Sequence, residues 1–181
     1  MKIAFIGNFS QIYHEEGKAL SLSRLGHEVI RFHEPSDLVG GEDLDLFGQS
    51  TMYGESVFSI NPDLIIVHGD RVEALAGAIV GSLNNILVAH IEGGEVSGTI
   101  DELIRHSVSK MSHIHYVSNH EAKNRLLQMG EMESSIKVIG SPDVDIMFSN
   151  NLPSLDEVKN YYEIYFKDYG IAMFHPVTTE F

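Results

Sequence analysis

The sequence predicts an α/β fold, a Rossmann-like doubly wound parallel sheet, on three observations. Short runs of aliphatic and β-branched residues alternate with helix-length amphipathic stretches. The short runs are apolar on both faces, as strands buried between two helical layers must be. Glycines and capping residues fall at the boundaries which that alternation requires.

Taken in order, Lys2–Gly7 is the first buried strand, too short and too soon broken for a secretory signal. His14–Leu25 follows as a helix, stopped by Gly26, and His27–Phe32 is the second strand. Residues 34–62 are acidic and glycine-bearing, with no clear strand. Leu64–His68 is a strand and Arg71–Leu83 a helix, for which Asp70-x-x-Glu73 offers an N-cap. The strand Ile86–Ile91 leads to the helix Ile100–Met111, opened by the capping box Thr99-x-x-Glu102. The strand His113–Val117 leads to the helix Asn119–Met129, with a second box at Ser118-x-x-Glu121 and a stop at Gly130. Ile136–Ile139 closes this run of strands. On the two helices, Leu103, Ile104, Val108 and Met111, and then Leu126, Leu127 and Met129, are expected to face the core.

From Asn150 the composition shifts. Asn150-Asn151-Leu152-Pro153 reads as a linker, Ser154-x-x-Glu157 as a third capping box, and Leu155–Tyr165 as a tyrosine-rich helix. Gly170–Phe174 has the pattern of a further buried strand. The expected organisation is a Rossmann-like domain over residues 1–149 and, over 150–181, a linker, a helix and the first strand of a truncated second domain. The apolar tail of Tyr161, Tyr162, Tyr165, Phe166, Tyr169, Met173 and Phe174 then lacks a covering partner, and a homo-oligomer is expected.

The formal net charge of −14, with no run of lysine or arginine, argues against nucleic acid and against an anionic membrane surface. No apolar run approaches the roughly 20 residues of a membrane helix. The absence of cysteine removes disulfides and thiolate metal sites, a composition compatible with the cytoplasm. Such a chain can still hold a phosphorylated small molecule through helix N-termini and a few arginines.

In an open parallel sheet, ligands bind beyond the carboxyl ends of the strands. The residues there are Gly7-Asn8, Gly69-Asp70-Arg71, Glu92-Gly93-Gly94-Glu95, Ser118-Asn119 and Gly140-Ser141-Pro142. Asp70 and Glu92 therefore share one edge, and Asp101 opens the helix after the second of their loops. Converging carboxylates suit general acid–base chemistry, because crowding and burial can push their pKa values apart. Each has a plainer reading. Asp70 serves equally as an N-cap, Glu102 as the partner of Thr99, and Asp101 as an i,i+4 ion-pair partner of Arg105. Glu92 has the weakest such reading, since a carboxylate ending a buried strand is costly unless it is used. The i,i+2 pairs His90/Glu92 and His113/His115 lack a third spaced ligand, so no metal is expected. A Gly-x-Gly-x-x-Gly fingerprint is absent too.

Four ordered segments carry a resemblance. They are His68-Gly69-Asp70-Arg71-Val72-Glu73-Ala74-Leu75-Ala76-Gly77, the stretch from His90-Ile91-Glu92-Gly93-Gly94-Glu95 to Asp101-Glu102-Leu103-Ile104-Arg105-His106, Gly140-Ser141-Pro142-Asp143, and His175-Pro176-Val177-Thr178-Thr179-Glu180. Together they resemble the hydrolysing UDP-N-acetylglucosamine 2-epimerases of bacterial sialic-acid and capsule synthesis, over about two thirds of the chain. The resemblance implies the N-terminal half of a GT-B fold and the conversion of UDP-GlcNAc, or a diacetamido relative, with water into ManNAc and UDP. It implies anti elimination through 2-acetamidoglucal, followed by addition of water, and no cofactor. By motif, Asp70, Glu92, Asp101, Arg105 and His175 carry over as catalytic positions, and Arg71, Gly93, Gly94 and Ser141 as substrate-binding ones.

Residues 1–35 depart from that family. Where its first strand runs into Thr-Gly-Thr/Ser-Arg, this chain has Gly7-Asn8-Phe9-Ser10, without the arginine, and residues 1–35, through Gly26-His27-Glu28-Val29-Ile30, are more like the opening of a GT-B glycosyltransferase. Two alternatives follow: a glycosyltransferase, or a non-catalytic half-domain that only binds a sugar nucleotide or a partner.

Overall fold

The computed structural model describes residues 1–6, 23–32, 57, 59–149 and 152–172. Six parallel strands form one sheet: β1 (Lys2–Ile6), β2 (Glu28–Phe32), β3 (Leu64–His68), β4 (Leu87–Ile91), β5 (Ile114–Val117) and β6 (Ile136–Val138). Their spatial order is β2-β1-β3-β4-β5-β6. Chain progression reverses direction between β1 and β3, so the crevice of this doubly wound sheet opens beside the loop that leaves β3.

The six strands expected between Lys2 and Ile139 are present, shortened by at most a residue at an end; Gly7 lies outside the described residues, as does most of the expected helix His14–Leu25. The helices that follow the inner strands are α1 (Val72–Leu83), α2 (Ile100–Lys110) and α3 (His120–Gln128). The buried face of α1 is built of small residues, including Ala74, Ala76, Gly77, Ala78 and Gly81, which lets it lie close on β1, β3 and β4. That face packs with Ala4, Ile6, Ile65, Val67 and Val88 into the main core cluster, to which α2 adds Val108. Ile104 and Met111 share this face with Val108 at helical spacing, whereas Leu103, placed in the core by the sequence reading, is 67% exposed. One residue from Ile104 is about 100° around the helix, which turns Leu103 to solvent. A second cluster seats Leu126 of α3 with Val117, Ala122 and Ile136, and Leu127 and Met129 pack on it as expected.

Two of the three predicted capping boxes do not form. Thr99 makes no side-chain cap; Glu102 instead accepts from the backbone N–H groups of Ser97 and Gly98, at 3.0 and 2.7 Å. The N-cap of α3 is Asn119, accepting from Ala122 N at 2.8 Å, because the Ser118 hydroxyl is engaged by Glu95.

The chain divides into two compact units, Met1–Pro142 and Asp143–Phe181. The helix α4 (Pro142–Met147) begins at the last residue of the first unit, and in the second α5 (Leu155–Tyr161) opens with the complete Ser154/Glu157 capping box. The helix ends four residues earlier than the sequence reading placed it, with Tyr161 and Tyr162 packed edge to face at 4.9 Å. Gly170, Ile171 and Ala172 belong to no strand, and the rest of the strand expected there lies outside the described residues. No helix among the described residues is long and apolar enough to cross a membrane.

Candidate functional site

At the carboxyl edge of the sheet, the loops after β3 and β4 are neighbours because their strands pair in register, with His68 opposite Ile91. Gly69 extends that ladder, donating its N–H to Ile91 O at 3.1 Å. Asp70 comes next and forms an ion pair with Arg105 of α2, 35 residues away in sequence. Neither local reading of these residues survives. The N-cap of α1 is Arg71, without a side-chain bond, and Arg105 turns to Asp70 rather than to Asp101. Arg105 is nearly buried, and burial lowers its pKa from the ordinary value. Its other donors reach Glu95 O at 3.1 Å and Ser97 Oγ at 3.4 Å, so one guanidinium ties the β3 loop to the β4 loop.

Glu92 follows β4 in a left-handed conformation, φ +67°, that a side chain of this size rarely adopts. Its N–H still donates to Tyr116 O at 2.8 Å, which fixes the turn against β5. The conformation swings the carboxylate back over the sheet edge. Oε2 lies 2.9 Å from Nε2 of His68, where one proton joins ring and carboxylate, and Oε1 accepts from Ser141 Oγ at 3.3 Å. His68 and Ser141 bring the ends of β3 and β6 to the same carboxylate.

The glycines after Glu92 are required by what surrounds them. A Cβ on Gly93 would lie 2.8 Å from both His90 Nδ1 and Ser109 Oγ. Gly94, at φ +81°, passes so near α3 that a Cβ would lie 2.5 Å from the Ala122 carbonyl oxygen. Arg125 binds the Gly94 carbonyl, and Ser118 and Asn119 both donate to Glu95 Oε1. The loop is held from three sides.

Asp70 and Arg105 are thus joined to each other, and Glu92 to Ser141. Asp101 is exposed in the first turn of α2, its carboxylate 3.3 Å from Thr99 Oγ1 and joined to none of these. Arg71 is 67% exposed and lies 3.6 Å from Glu73. His175 lies outside the described residues, as does the loop after β1. His68, Ser109 and Glu95 are contacts that residue-by-residue reading did not single out. Among the described residues no group of three or more acidic or histidine side chains is placed to hold a metal ion.

His90 is wholly buried, and burial pushes its pKa from 6.5 down to about 4. An unfolded chain restores the ordinary value, so unfolding takes up a proton between these limits. The stability tied to neutral His90 is complete above pH 6.5 and is lost as pH falls towards 4, about 3 kcal/mol in all. Buried His115, also lowered by desolvation, acts in the same direction. Urea unfolding at pH 7, 5.5 and 4 is expected to show this decline, flattened in the His90→Gln variant; identical slopes in the two proteins would remove His90 as its source.

Residues 47–181 match the profile of the family described as UDP-N-acetylglucosamine 2-epimerase. Over 121 residues the chain is 63% identical to the UDP-N-acetylglucosamine 2-epimerase of Neisseria meningitidis serogroup B, a match covering 67% of this chain and 32% of that protein. It is 40% identical over 123 residues to the UDP-N,N'-diacetylbacillosamine 2-epimerase (hydrolyzing) of Legionella pneumophila, covering 67% of this chain and 33% of the relative. By sequence the matched part spans about a third of these relatives' length. The crystal structure of UDP-GlcNAc 2-epimerase from Neisseria meningitidis bound to UDP-GlcNAc superposes with a TM-score of 0.74 at 18% identity, covering 90% of this chain and 53% of that one. The Methanocaldococcus jannaschii enzyme in complex with UDP-GlcNAc and UDP gives 0.73 at 22% identity, over 90% of this chain and 53% of that one. At these identities the structures establish the fold alone: the six-stranded Rossmann-like unit expected from the sequence.

Proposed function

Since this chain belongs to the UDP-N-acetylglucosamine 2-epimerase family, we propose that it supplies the acid–base wall of a hydrolysing 2-epimerase, converting UDP-GlcNAc and water into ManNAc and UDP in sialic-acid precursor synthesis. The observation that supports this most is Glu92, turned over the sheet edge by a left-handed backbone and held between His68 and Ser141. A carboxylate anchored on two sides, beside a neighbouring Asp70–Arg105 pair, suits proton transfer at a carbon next to a departing phosphate.

In the proposed reaction a base removes the C2 proton while UDP leaves from C1, which gives 2-acetamidoglucal. Water then adds at C1, and a proton returns to C2 from the opposite face. Glu92 and Asp70 are the proposed proton-transfer groups, with Arg105 paired to Asp70 and holding it in place. Asp101 and His175 are further positions proposed from the family motif, and Arg71, Gly93, Gly94 and Ser141 are proposed to meet the substrate. UDP-GlcNAc is preferred over a diacetamido sugar because the 63% identical relative is named for it, against 40% for the Legionella enzyme.

The activity is proposed for the protein in which this domain stands beside a nucleotide-binding partner domain, and the test is made there. UDP-GlcNAc in heavy water is expected to yield ManNAc carrying deuterium at C2, read by proton NMR. ManNAc that retains protium at C2 would overturn the elimination. Release of UDP with no ManNAc would favour the glycosyltransferase reading, and binding of UDP-GlcNAc with no release of UDP the non-catalytic one.

A further inference from the structure

We propose that His90 and Ser109 are positioning residues that set the Asp70–Arg105 pair and seat the loop bearing Glu92. The role in catalysis rests on the function proposed above; the contacts stand without it.

The central strand β4 is apolar on both sides of His90, with Val88 and Ala89 wholly buried and Ile91 nearly so. If this position only filled space, an aliphatic side chain would do it without the cost of desolvating an imidazole. Both ring nitrogens are in use. Nε2 lies 2.8 Å from the Gly69 carbonyl, which can only accept, so Nε2 carries the proton. In the neutral ring Nδ1 is then an acceptor, and Ser109 Oγ lies 3.0 Å from it. The same hydroxyl lies 3.0 Å from the Arg105 carbonyl, so its one hydrogen is divided between ring and backbone.

The contacts form a line: Gly69 carbonyl, imidazole, Ser109 hydroxyl, Arg105 carbonyl. One end is the peptide that leads into Asp70; the other is the backbone of its partner. The Asp70–Arg105 ion pair closes the line into a ring of contacts spanning β3, β4 and α2. Shortening or lengthening the strut moves the two charges relative to each other. Gly93 lies against its middle, since a Cβ there would be 2.8 Å from both Nδ1 and Oγ. The loop that aims Glu92 therefore rests on the same strut. Because burial keeps His90 neutral near pH 7, the donor and acceptor ends do not exchange roles in the working range.

The test compares His90→Leu, which keeps bulk but removes both bonds, with His90→Gln, whose amide can still donate to Gly69. The first readout is hydrogen exchange at the Arg105 guanidinium by nitrogen-15 NMR on the 181-residue chain, without substrate. His90→Leu is expected to speed that exchange at least about 10-fold, with His90→Gln restoring most of the protection. In the full-length enzyme, kcat is expected to fall about 10- to 10²-fold in His90→Leu with KM within about 3-fold, again rescued by His90→Gln. A folded His90→Leu protein with unchanged Arg105 exchange, or equal behaviour of the two variants, would overturn the proposal. If His90→Leu does not fold, Ser109→Ala decides: it spares the Gly69 bond and cuts the line to Arg105, and unchanged exchange there is equally fatal. Absence of epimerase turnover in the unsubstituted protein would overturn the proposed function instead, and would leave the exchange comparison intact.

Discussion

On the function proposed above, turnover by the protein in which this domain stands beside its partner domain is expected to fall at least about 10²-fold with Glu92→Gln, the usual range for loss of a general acid–base group. The substitution keeps the length and planarity of the side chain and removes only its charge and its exchangeable proton. Glutamine meets the same backbone restriction as glutamate at φ +67°, so the turn after β4 is unaffected. Ser141 can still donate to an amide oxygen, and His68 can still share a hydrogen bond. Stability should therefore change little, and a loss of rate reports chemistry rather than unfolding. ManNAc release under saturating substrate, with a thermal melt as control, makes the comparison. An unchanged rate would remove Glu92 from the reaction.

Gly94→Ala is expected to destabilise the domain by about 2–4 kcal/mol. Two effects add. An alanine at φ +81° is strained wherever it sits, and here its Cβ would also stand 2.5 Å from the Ala122 carbonyl oxygen and 3.1 Å from Leu126 Cγ. The first of these is helix backbone, which yields only if α3 moves, and α3 carries Leu126 into a buried cluster. Gly98→Ala separates the two effects. Gly98 has φ +69° with nothing within 4 Å of an added Cβ, so only the conformational cost of about 1 kcal/mol remains. Urea denaturation of both variants checks the difference. Equal losses would mean that the approach of Gly94 to α3 contributes nothing.

The sheet was legible because its signal is local: a strand apolar on both faces declares itself within five residues, as Leu64–His68 and Leu87–Ile91 do. The helix starts were less so. Thr99-x-x-Glu102 has the spacing of a capping box, but Glu102 finds the N–H groups of Ser97 and Gly98 in a loop whose shape that spacing does not specify. Ser118 is drawn away from its own helix by Glu95, 23 residues distant. At the site, composition and pattern reached only a carboxylate-lined edge, and the roles of individual residues came from likeness to a family. Asp70 could be read as a cap and Arg105 as the neighbour of Asp101, because a pairing across 35 residues leaves no periodic trace. The His90–Ser109 contact is hidden for the same reason, being made between the middle of a strand and the last turns of the next helix.

The backbone of Glu92 has a consequence for how this position drifts over generations. Left-handed φ favours glycine, and then asparagine or aspartate, over a long acidic side chain by about a kilocalorie. Random substitution under selection for folding alone would carry position 92 towards those smaller residues, since each such step relaxes the chain. On the function proposed above, a glutamate at position 92 keeps its carboxylate at the sheet edge against that gradient, and the strain in its backbone is the stability the domain forgoes to hold it there.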